Sequence, residues 1–382
     1  MGSSNRWAAA GGAVAMLAVT LCASTAFAQL ATEEVITLPA ITAKNRVYVL
    51  DIAINHIADG KLHVVDADKM AYLGVIGTGF TGQIIQSPDG KELIVATGYL
   101  SRGQRGERTD IVEVWDADTL TFKYEIPIPD KRAMALNYEG LVRLSADGRW
   151  LFVQNATPAT SVTVVDMQAR ETAGEISMPG CWAIYPAASN PNRFASLCGD
   201  GSIATVTLDD SGKVASRSAT QKVFDPDEDA WFMSGEQEGD LYHFVSFKGR
   251  LITVDVSGDT ATVEAPWPLV PAADRKRGWR PGGYQPIAVH GGRLYVAMHP
   301  GGAEGSHKNP AAEVWAYDIA KRKRLARLPG RNAIALETSS DGSKLYALDA
   351  LKAEVVVYER IGPKPRIRSM QVGETSVQLV AN

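Results

Sequence analysis

Cysteine and histidine are both scarce in this chain. Three cysteines and six histidines occur among 382 residues, and none falls at the C-x-x-C or H-x-x-x-H spacing of a thiol redox motif or a metal site. The Walker loop, the G-x-S-x-G elbow and the dinucleotide-binding glycine pattern are also missing from any strand-to-helix context. These absences argue against a metal, nucleotide or serine-hydrolase site built from a local motif.

Basic residues are not in excess, and only the amino terminus has a long apolar run. The chain has 39 Lys and Arg against 43 Asp and Glu, so no excess of positive charge indicates nucleic-acid binding. The first residues combine Arg6, an apolar run over 7–21 and an A-x-A site over 26–28. This pattern predicts a cleaved signal peptide over 1–28, with a membrane anchor as the alternative. We therefore expect a periplasmic protein with an extension over 29–44, one domain over 45–382 and no membrane segment.

Export would determine which cysteines remain in the mature chain and whether they can form a disulfide. Cys22 would leave with the signal peptide, and the residues before it do not favour lipidation. Cys181 and Cys198 would remain, and in an oxidising compartment they predict one disulfide. A loop of this size would stabilise the fold by about 3 kcal/mol. Two buried free thiols are the alternative.

A short pattern of alternating apolar residues that ends in an acidic residue recurs along the chain. Seven copies end, in order, at Asp66, Asp116, Asp166, Asp209, Asp255, Asp318 and Glu359. A turn sequence of the form S-x-D-G, followed by an apolar run, precedes the copies that end at Asp116, Asp166 and Glu359. Asp-Gly supplies the positive φ that a hairpin turn needs, so each repeat contains several short strands.

The repeat predicts the fold. Four strands in each of seven repeats give an all-β, seven-bladed β-propeller made of four-stranded antiparallel blades. A β-sandwich is the alternative, although a sandwich does not need a repeat of this period. Propellers serve many functions, so the function has to be argued from a site.

Two segments rich in arginine and glycine lie over 102–110 and 274–284. Both mix charges of opposite sign, and the second adds aromatic residues, a composition that is frequent at protein interfaces. Ordinary surface structure is the alternative. A glycine-rich stretch over 300–306 predicts a surface loop. None of these segments supplies a set of catalytic residues, so we predict no catalytic or metal-binding residue on this chain.

The same segments resemble the heavy subunit of the tryptophan tryptophylquinone amine dehydrogenases. The similar segments are R-G-E-R-T-D over 105–110, V-E-V-W-D over 112–116, G-C-W over 180–182, C-G-D-G over 198–201 and G-W-R-P-G-G-Y over 278–284. The similarity extends from about residue 45 to the carboxyl terminus. Within the family, N-A-T-P-A-T-S over 155–161 and the stretch over 298–313 are closer to the aromatic amine (aralkylamine) enzymes than to the methylamine enzymes.

The resemblance implies a division of labour between two subunits. In that family a small, cysteine-rich light subunit carries the tryptophan tryptophylquinone and the catalytic base, and two heavy and two light chains assemble. A primary amine becomes an aldehyde and ammonia, and electrons pass to a blue-copper protein of the azurin or amicyanin type. We therefore expect the heavy subunit of a periplasmic dehydrogenase for aromatic amines. A methylamine dehydrogenase heavy subunit, a non-catalytic binding propeller and a self-sufficient propeller hydrolase are the alternatives.

The resemblance also implies roles for individual residues. Phe80 matches a phenylalanine that lines the entrance to the quinone pocket and would select among amines, whereas an ordinary core residue is the alternative. Cys181 and Cys198 match the family's heavy-chain disulfide. The residues expected at the subunit interface are Arg105, Arg108, Trp279, Arg280 and Tyr284.

Overall fold

A computed structural model describes residues 38–135, 137–362 and 364–381 of the chain. The predicted signal peptide over 1–28 and the first part of the predicted extension over 29–44 lie outside these residues. Within them, no helix is both long enough and apolar enough to cross a membrane.

Strands make up most of the regular structure in the described ranges. The first fourteen are β1 (Arg46–Asp51), β2 (Gly60–Asp66), β3 (Ala71–Gly79), β4 (Gln83–Gln86), β5 (Glu92–Leu100), β6 (Arg108–Asp116), β7 (Phe122–Ile128), β8 (Val142–Leu144), β9 (Trp150–Asn155), β10 (Ser161–Asp166), β11 (Glu171–Ser177), β12 (Cys181–Pro186), β13 (Arg193–Cys198) and β14 (Ile203–Leu208). The next fifteen are β15 (Val214–Ala219), β16 (Glu236–Glu238), β17 (Leu241–Val245), β18 (Arg250–Asp255), β19 (Thr262–Val263), β20 (Trp267–Pro268), β21 (Arg280–Pro281), β22 (Ile287–His290), β23 (Arg293–His299), β24 (Ala311–Asp318), β25 (Lys323–Thr338), β26 (Leu345–Asp349), β27 (Glu354–Arg360), β28 (Arg366–Gln371) and β29 (Ser376–Ala381). The helical pieces are α1 (Pro226–Asp229), α2 (Ala272–Lys276) and the 3₁₀ turns η1 (Ile54–His56), η2 (Glu139–Leu141) and η3 (Ser306–Lys308).

Neighbouring strands pair antiparallel and form six sheets in the described part of the chain. Three of them are the four-stranded sheets β4–β7, β8–β11 and β12–β15, and β29 joins β1–β3 in a fourth. The fifth sheet contains β16–β20, with both β19 and β20 paired to β18. Strands β21–β28 form one eight-stranded sheet. Because β29 near the carboxyl terminus pairs with β1, the two ends of the domain are tied together in one sheet.

The structure corrects the predicted number of blades. The prediction of seven four-stranded blades is wrong, because five sheets have the four or five strands of a blade and the last two repeats share a single eight-stranded sheet. The physical reason is β25, whose 16 residues pair with β24 along the first part and with β26 along the second. No turn separates the two repeats along this strand. The all-β propeller class itself is confirmed.

The copies of the repeated pattern form strands, and in most of them the acidic residue accepts hydrogen bonds from the backbone of the following turn; Glu359 instead pairs with Arg366 and Arg368. Asp66 Oδ1 accepts hydrogen bonds from the backbone N–H groups of Asp68 (2.9 Å) and Lys69 (3.0 Å), which bends the chain from β2 into β3. Asp116 and Asp166 repeat this arrangement after β6 and β10. The recurring acid therefore has a structural role.

The core lies between neighbouring sheets. The rings of Phe152 and Phe194 pack 4.9 Å apart between the third and fourth sheets in chain order, and those of Tyr185 and Phe244 pack 5.0 Å apart between the fourth and fifth. Apolar surface buried in this way is the main stabilising contribution to such a fold. The resulting rigid sheets hold the connecting loops in place.

Candidate functional site

Most residues that the sequence analysis selects lie in connections at one end of the sheets. Strands β4 and β5 are antiparallel, with Gln83 at the start of β4 opposite Ala96, so the β3–β4 and β5–β6 connections lie at the same end, and the segment between β21 and β22 follows the pairing of Arg280 with His299 at the end of β23. They hold Phe80, Arg105 and Tyr284 respectively. The ring of Tyr138, which precedes β8, lies 6.4 Å from that of Tyr284 and joins distant parts of this end.

Phe80 lines a cavity of about 500 Å³ at this end. The lining comes from the connections β1–β2, β3–β4, β7–β8 and β9–β10, from the start of β6 and from β12. Its larger apolar side chains are Ile52, Ile54, Ile57, Phe80, Met134 and Trp182. Its polar side chains are Thr81, Arg108, Arg132, Asn137 and Thr157, so no described lining residue is an acid or a histidine. The described lining can select a ligand by its shape and exclude water from it, but it supplies no general base.

The loop that carries Phe80 has an unusual backbone. Gly79 and Thr81, on either side of Phe80, have positive φ angles of 55° and 45°. The left-handed region is unfavourable for a β-branched residue such as Thr81, so tertiary contacts must hold it. The Phe80 ring is half-buried at the edge of the cavity.

A buried network of charges supports this loop. Asp110 is fully buried, pairs with the guanidinium of Arg108, and accepts a hydrogen bond from the backbone N–H of Arg132 (3.2 Å). The Arg132 side chain is 1% exposed, and burial lowers its pKa to about 10, against the opposing effect of Asp110. Arg132 therefore stays charged at neutral pH. In contrast, Arg105 is exposed at the tip of the β5–β6 hairpin.

The second arginine- and glycine-rich segment has a different structure. Trp279 is 9% exposed and packs 5.2 Å from Trp315, so most of its surface is covered within this chain. The guanidinium of Arg280 lies 4.8 Å from the ring centre of Phe247. Tyr284 is half-buried. The segment thus combines one core residue with two partly accessible residues.

The predicted disulfide is present. Cys181 begins β12, Cys198 ends β13, and the two are direct partners in the strand register with their sulfur atoms 2.02 Å apart. The bond therefore joins two neighbouring strands at one end of the β12–β15 sheet. A second cavity, of about 600 Å³, lies beside it.

A cluster of acidic residues on the inner strands escaped the sequence analysis. Glu139 Oε1 lies 2.7 Å from Arg143 Nη2, and Glu236 and Glu337 are near enough to feel the charge of both. Burial, followed by the charge of Glu139, raises the pKa of Glu337 to about 8 and that of Glu236 well above its usual range. The three acids are far apart in sequence, with Glu139 in η2, Glu236 in β16 and Glu337 in β25, so no local motif shows them. A polar residue within an otherwise apolar inner strand is the only sequence signal.

The family is decided by a match that covers most of the chain. A family model described as methylamine dehydrogenase heavy chain (MADH) matches residues 43–380. The chain belongs to this family. The resemblance to amine dehydrogenase heavy subunits is therefore confirmed.

Individual relatives agree with this assignment. The methylamine dehydrogenase heavy chain of Methylobacillus flagellatus is 30% identical over 312 residues, which are 80% of this chain and 76% of that one. The protein of the same name from Methylophilus methylotrophus is 28% identical over 344 residues, 88% of this chain and 83% of the relative.

Solved structures show a similar fold at low sequence identity. A periplasmic gluconolactonase of Pseudomonas aeruginosa has a TM-score of 0.60 at 14% identity and covers 88% of this chain and 98% of its own. The hydrazine synthase of Kuenenia stuttgartiensis has a TM-score of 0.51 at 15% identity, over 82% and 89%. At this identity the similarity concerns the fold alone.

Proposed function

We propose that this chain is the heavy subunit of a periplasmic quinoprotein amine dehydrogenase that converts aromatic primary amines to aldehydes and ammonia. The observation that supports this most is the apolar cavity around Phe80, at the end where the family-like segments meet. A cysteine-rich light subunit would carry the tryptophan tryptophylquinone and the catalytic base, in a complex of two heavy and two light chains. Electrons would pass to a blue-copper protein.

The surface beside the cavity is suited to a partner subunit. Ile54 is 58% exposed and Ile57 is 36% exposed, and both lie at the rim next to Phe80. Adjacent exposed apolar side chains are a feature of protein interfaces. We propose that the light subunit covers this rim, with Arg105 and Arg108 at its edge.

The residues of this chain fit a role beside a quinone that the partner holds. The quinone would supply the electrophilic carbonyl and accept the electrons. The apolar lining and Phe80 would exclude water and contact the substrate's side chain, which favours the reaction by drying the site. Because the described lining has arginines and no carboxylate, the ammonium end of a substrate would point away from this wall and toward the partner.

Substrate size is the basis for preferring aromatic amines. The ring of an aralkylamine would bury a large apolar area against Phe80 and Met134, whereas methylamine would leave much of the cavity unfilled. The methylamine alternative has its own support, since the relatives of 28–30% identity are methylamine dehydrogenase heavy chains.

Purification of the chain from its native periplasm tests the proposal. We expect a small subunit to co-purify, together with a visible quinone absorption that bleaches when a primary amine is added. The kcat/KM for phenylethylamine should exceed that for methylamine. A higher value for methylamine would favour the alternative substrate, and a colourless chain without a partner would contradict the enzyme proposal as a whole.

A further inference from the structure

We infer that Arg132 is a positioning residue that sets amine selectivity by holding the Phe80 loop, residues 78–82, in one conformation. The inference rests on the proposed function and deepens it, because it assigns the control of the cavity wall to a residue that is buried behind that wall. Arg132 also borders the cavity, but its guanidinium bonds are directed at the loop backbone.

The Phe80 loop is held by its carbonyl groups. Arg132 Nη2 donates to Phe80 O (2.8 Å), and Arg132 Nη1 donates to Thr81 O (3.0 Å). Asn137 Nδ2 donates to Gly82 O (2.8 Å), and Thr97 Oγ1 donates to Thr78 O (2.6 Å). Four carbonyls of one five-residue loop thus have side-chain donors, and a single guanidinium binds the two in the middle.

These hydrogen bonds hold the loop backbone in a conformation that is unfavourable on its own. Thr81 has a φ of 45°, a conformation that a β-branched residue rarely adopts. A loop in such a conformation would relax if its contacts were removed. The two bonds from Arg132 fall on Phe80 and on the strained residue after it, where relaxation would displace the ring most directly.

The surroundings of Arg132 leave its guanidinium little choice of position. The side chain is 1% exposed, and Asp110 accepts a hydrogen bond from its backbone N–H. Arg108 pairs with the same carboxylate and donates to Arg132 O (3.1 Å). The planar fork can therefore serve both carbonyls at once, which the point charge of a lysine cannot do with the same geometry.

Arg132→Lys in the assembled complex tests the inference. We expect the ratio of kcat/KM for phenylethylamine to that for methylamine to change roughly tenfold, since the pocket wall moves while the chemistry on the partner is untouched. Arg193→Lys is the matched control, because Arg193 is also buried and donates to a backbone carbonyl. Its bond lies between the β12–β15 and β16–β20 sheets and so does not involve the Phe80 loop. The control should leave the ratio unchanged.

A double-mutant cycle shows whether Arg132 acts through Phe80. In a Phe80→Ala background, Arg132→Lys should have no further effect on the ratio, because the ring whose position it sets is gone. Additive effects of the two substitutions would overturn the inference. If Phe80→Ala alters the ratio and Arg132→Lys does not, the inference also fails, while the proposed function stands.

Hydrogen exchange provides a readout that does not depend on turnover. The Phe80 N–H donates to Gly98 O (3.0 Å), and its exchange in the purified native protein should become faster in Arg132→Lys but not in Arg193→Lys. Arg132→Gln is the second variant in case Arg132→Lys does not fold, because its shorter, neutral amide cannot reproduce both bonds to the loop carbonyls and should also speed this exchange. Unchanged exchange in a folded Arg132→Lys variant would overturn the inference even if the protein oxidises no amine.

Discussion

Arg132 and Arg143 lie in two parts of the propeller that differ in the charged groups around the buried guanidinium. At the cavity, the carboxylate of Asp110 pairs with the guanidinium of Arg108 and accepts a hydrogen bond from the backbone N–H of Arg132, whose own guanidinium donates to backbone carbonyls. Arg143, on the inner strand β8, is near three glutamates. Burial lowers the pKa of Arg132, with the charge of Arg108 adding to the effect and that of Asp110 opposing it, whereas burial and then the charge of Glu139 raise the pKa of Glu337 to about 8.

The difference has a consequence for function. At the cavity Arg132 stays charged at neutral pH, and both arginines donate hydrogen bonds to backbone carbonyl groups. At the inner cluster the pKa of Glu337, about 8, keeps this acid mostly protonated at neutral pH, and burial also raises the pKa of Glu236, so the cluster carries less negative charge than its three carboxyl groups suggest. The structure of the cavity region therefore relies on charged side chains. The inner cluster relies instead on the protonation of an acid that would otherwise be charged.

The largest effect is expected at the shared carboxylate. Asp110→Ala would leave the guanidinium of Arg108 and the backbone N–H of Arg132 without their buried acceptor and should lower the free energy of unfolding by about 3–5 kcal/mol. Urea unfolding of the purified protein measures this change. Glu337→Gln is the comparison, with both variants measured at pH 5. Because Glu337 is protonated in the folded chain at that pH and has lost little of its pH-linked stability, Glu337→Gln should change the free energy by less than about 1 kcal/mol. Similar losses in both variants would contradict the contrast between the two regions.

A pH series sharpens the same comparison. The pKa of Glu337 is about 8 in the folded chain, above its unfolded value of 4.5, so the folded state binds the proton more tightly. The contribution of this raised pKa to the free energy of unfolding is fully present below about pH 4.5 and is lost as pH rises to about 8. Over that range the free energy of unfolding falls by at most about 1.4 kcal/mol per pH unit.

Glu337→Gln should remove this part of the slope. Unfolding free energies of both proteins at intervals from pH 5 to pH 9 provide the measurement, and we expect the two curves to diverge as pH rises. Asp341, an exposed acid in a surface turn, supplies a control, because Asp341→Asn should leave the slope above pH 5 unaltered. Parallel curves for Glu337→Gln and the parent chain would show that Glu337 does not titrate in this range.

The role of Phe80 is tested on the cavity side. Phe80→Ala should change the ratio of kcat/KM for phenylethylamine to that for methylamine roughly tenfold, through the lost contact and the wider cavity. Co-purification of the light subunit should be retained. Phe122, which is 48% exposed on the edge strand β7, is the matched control, and Phe122→Ala should not alter the ratio. Identical selectivity in Phe80→Ala and the parent complex would remove Phe80 from the substrate path.

The sequence predicts local features of the fold well and long-range features poorly. The acids at Asp66 and Asp116 and the S-x-D-G turns act within a few residues, so each is visible as a motif and lies where it was expected. The number of separate sheets depends on whether a strand such as β25 continues through two repeats, which no local signal decides.

The same distinction holds for the site. Phe80 and Arg108 lie in segments that resemble a family, whereas Arg132 has no motif and reaches the Phe80 loop across 52 positions of sequence. The cluster around Arg143 comes from three sheets, and its members become neighbours only when the propeller closes. Such tertiary contacts are set by the packing of whole sheets.

The smallest effect on stability is expected at the exposed tip of the β5–β6 hairpin. Arg105 is exposed, so Arg105→Ala should change the free energy of unfolding by less than about 0.5 kcal/mol, in contrast to any change at Asp110. If the tip contacts the light subunit, the same variant should weaken assembly at low ionic strength, as measured by the dissociation constant of the two subunits. Because salt screens exposed charges beyond about 8 Å at physiological ionic strength, the difference from the parent chain should shrink as salt is added. An unchanged dissociation constant at low salt would remove Arg105 from the interface and leave the adjacent hairpin base, with Arg108 and Asp110, as a support for the cavity alone.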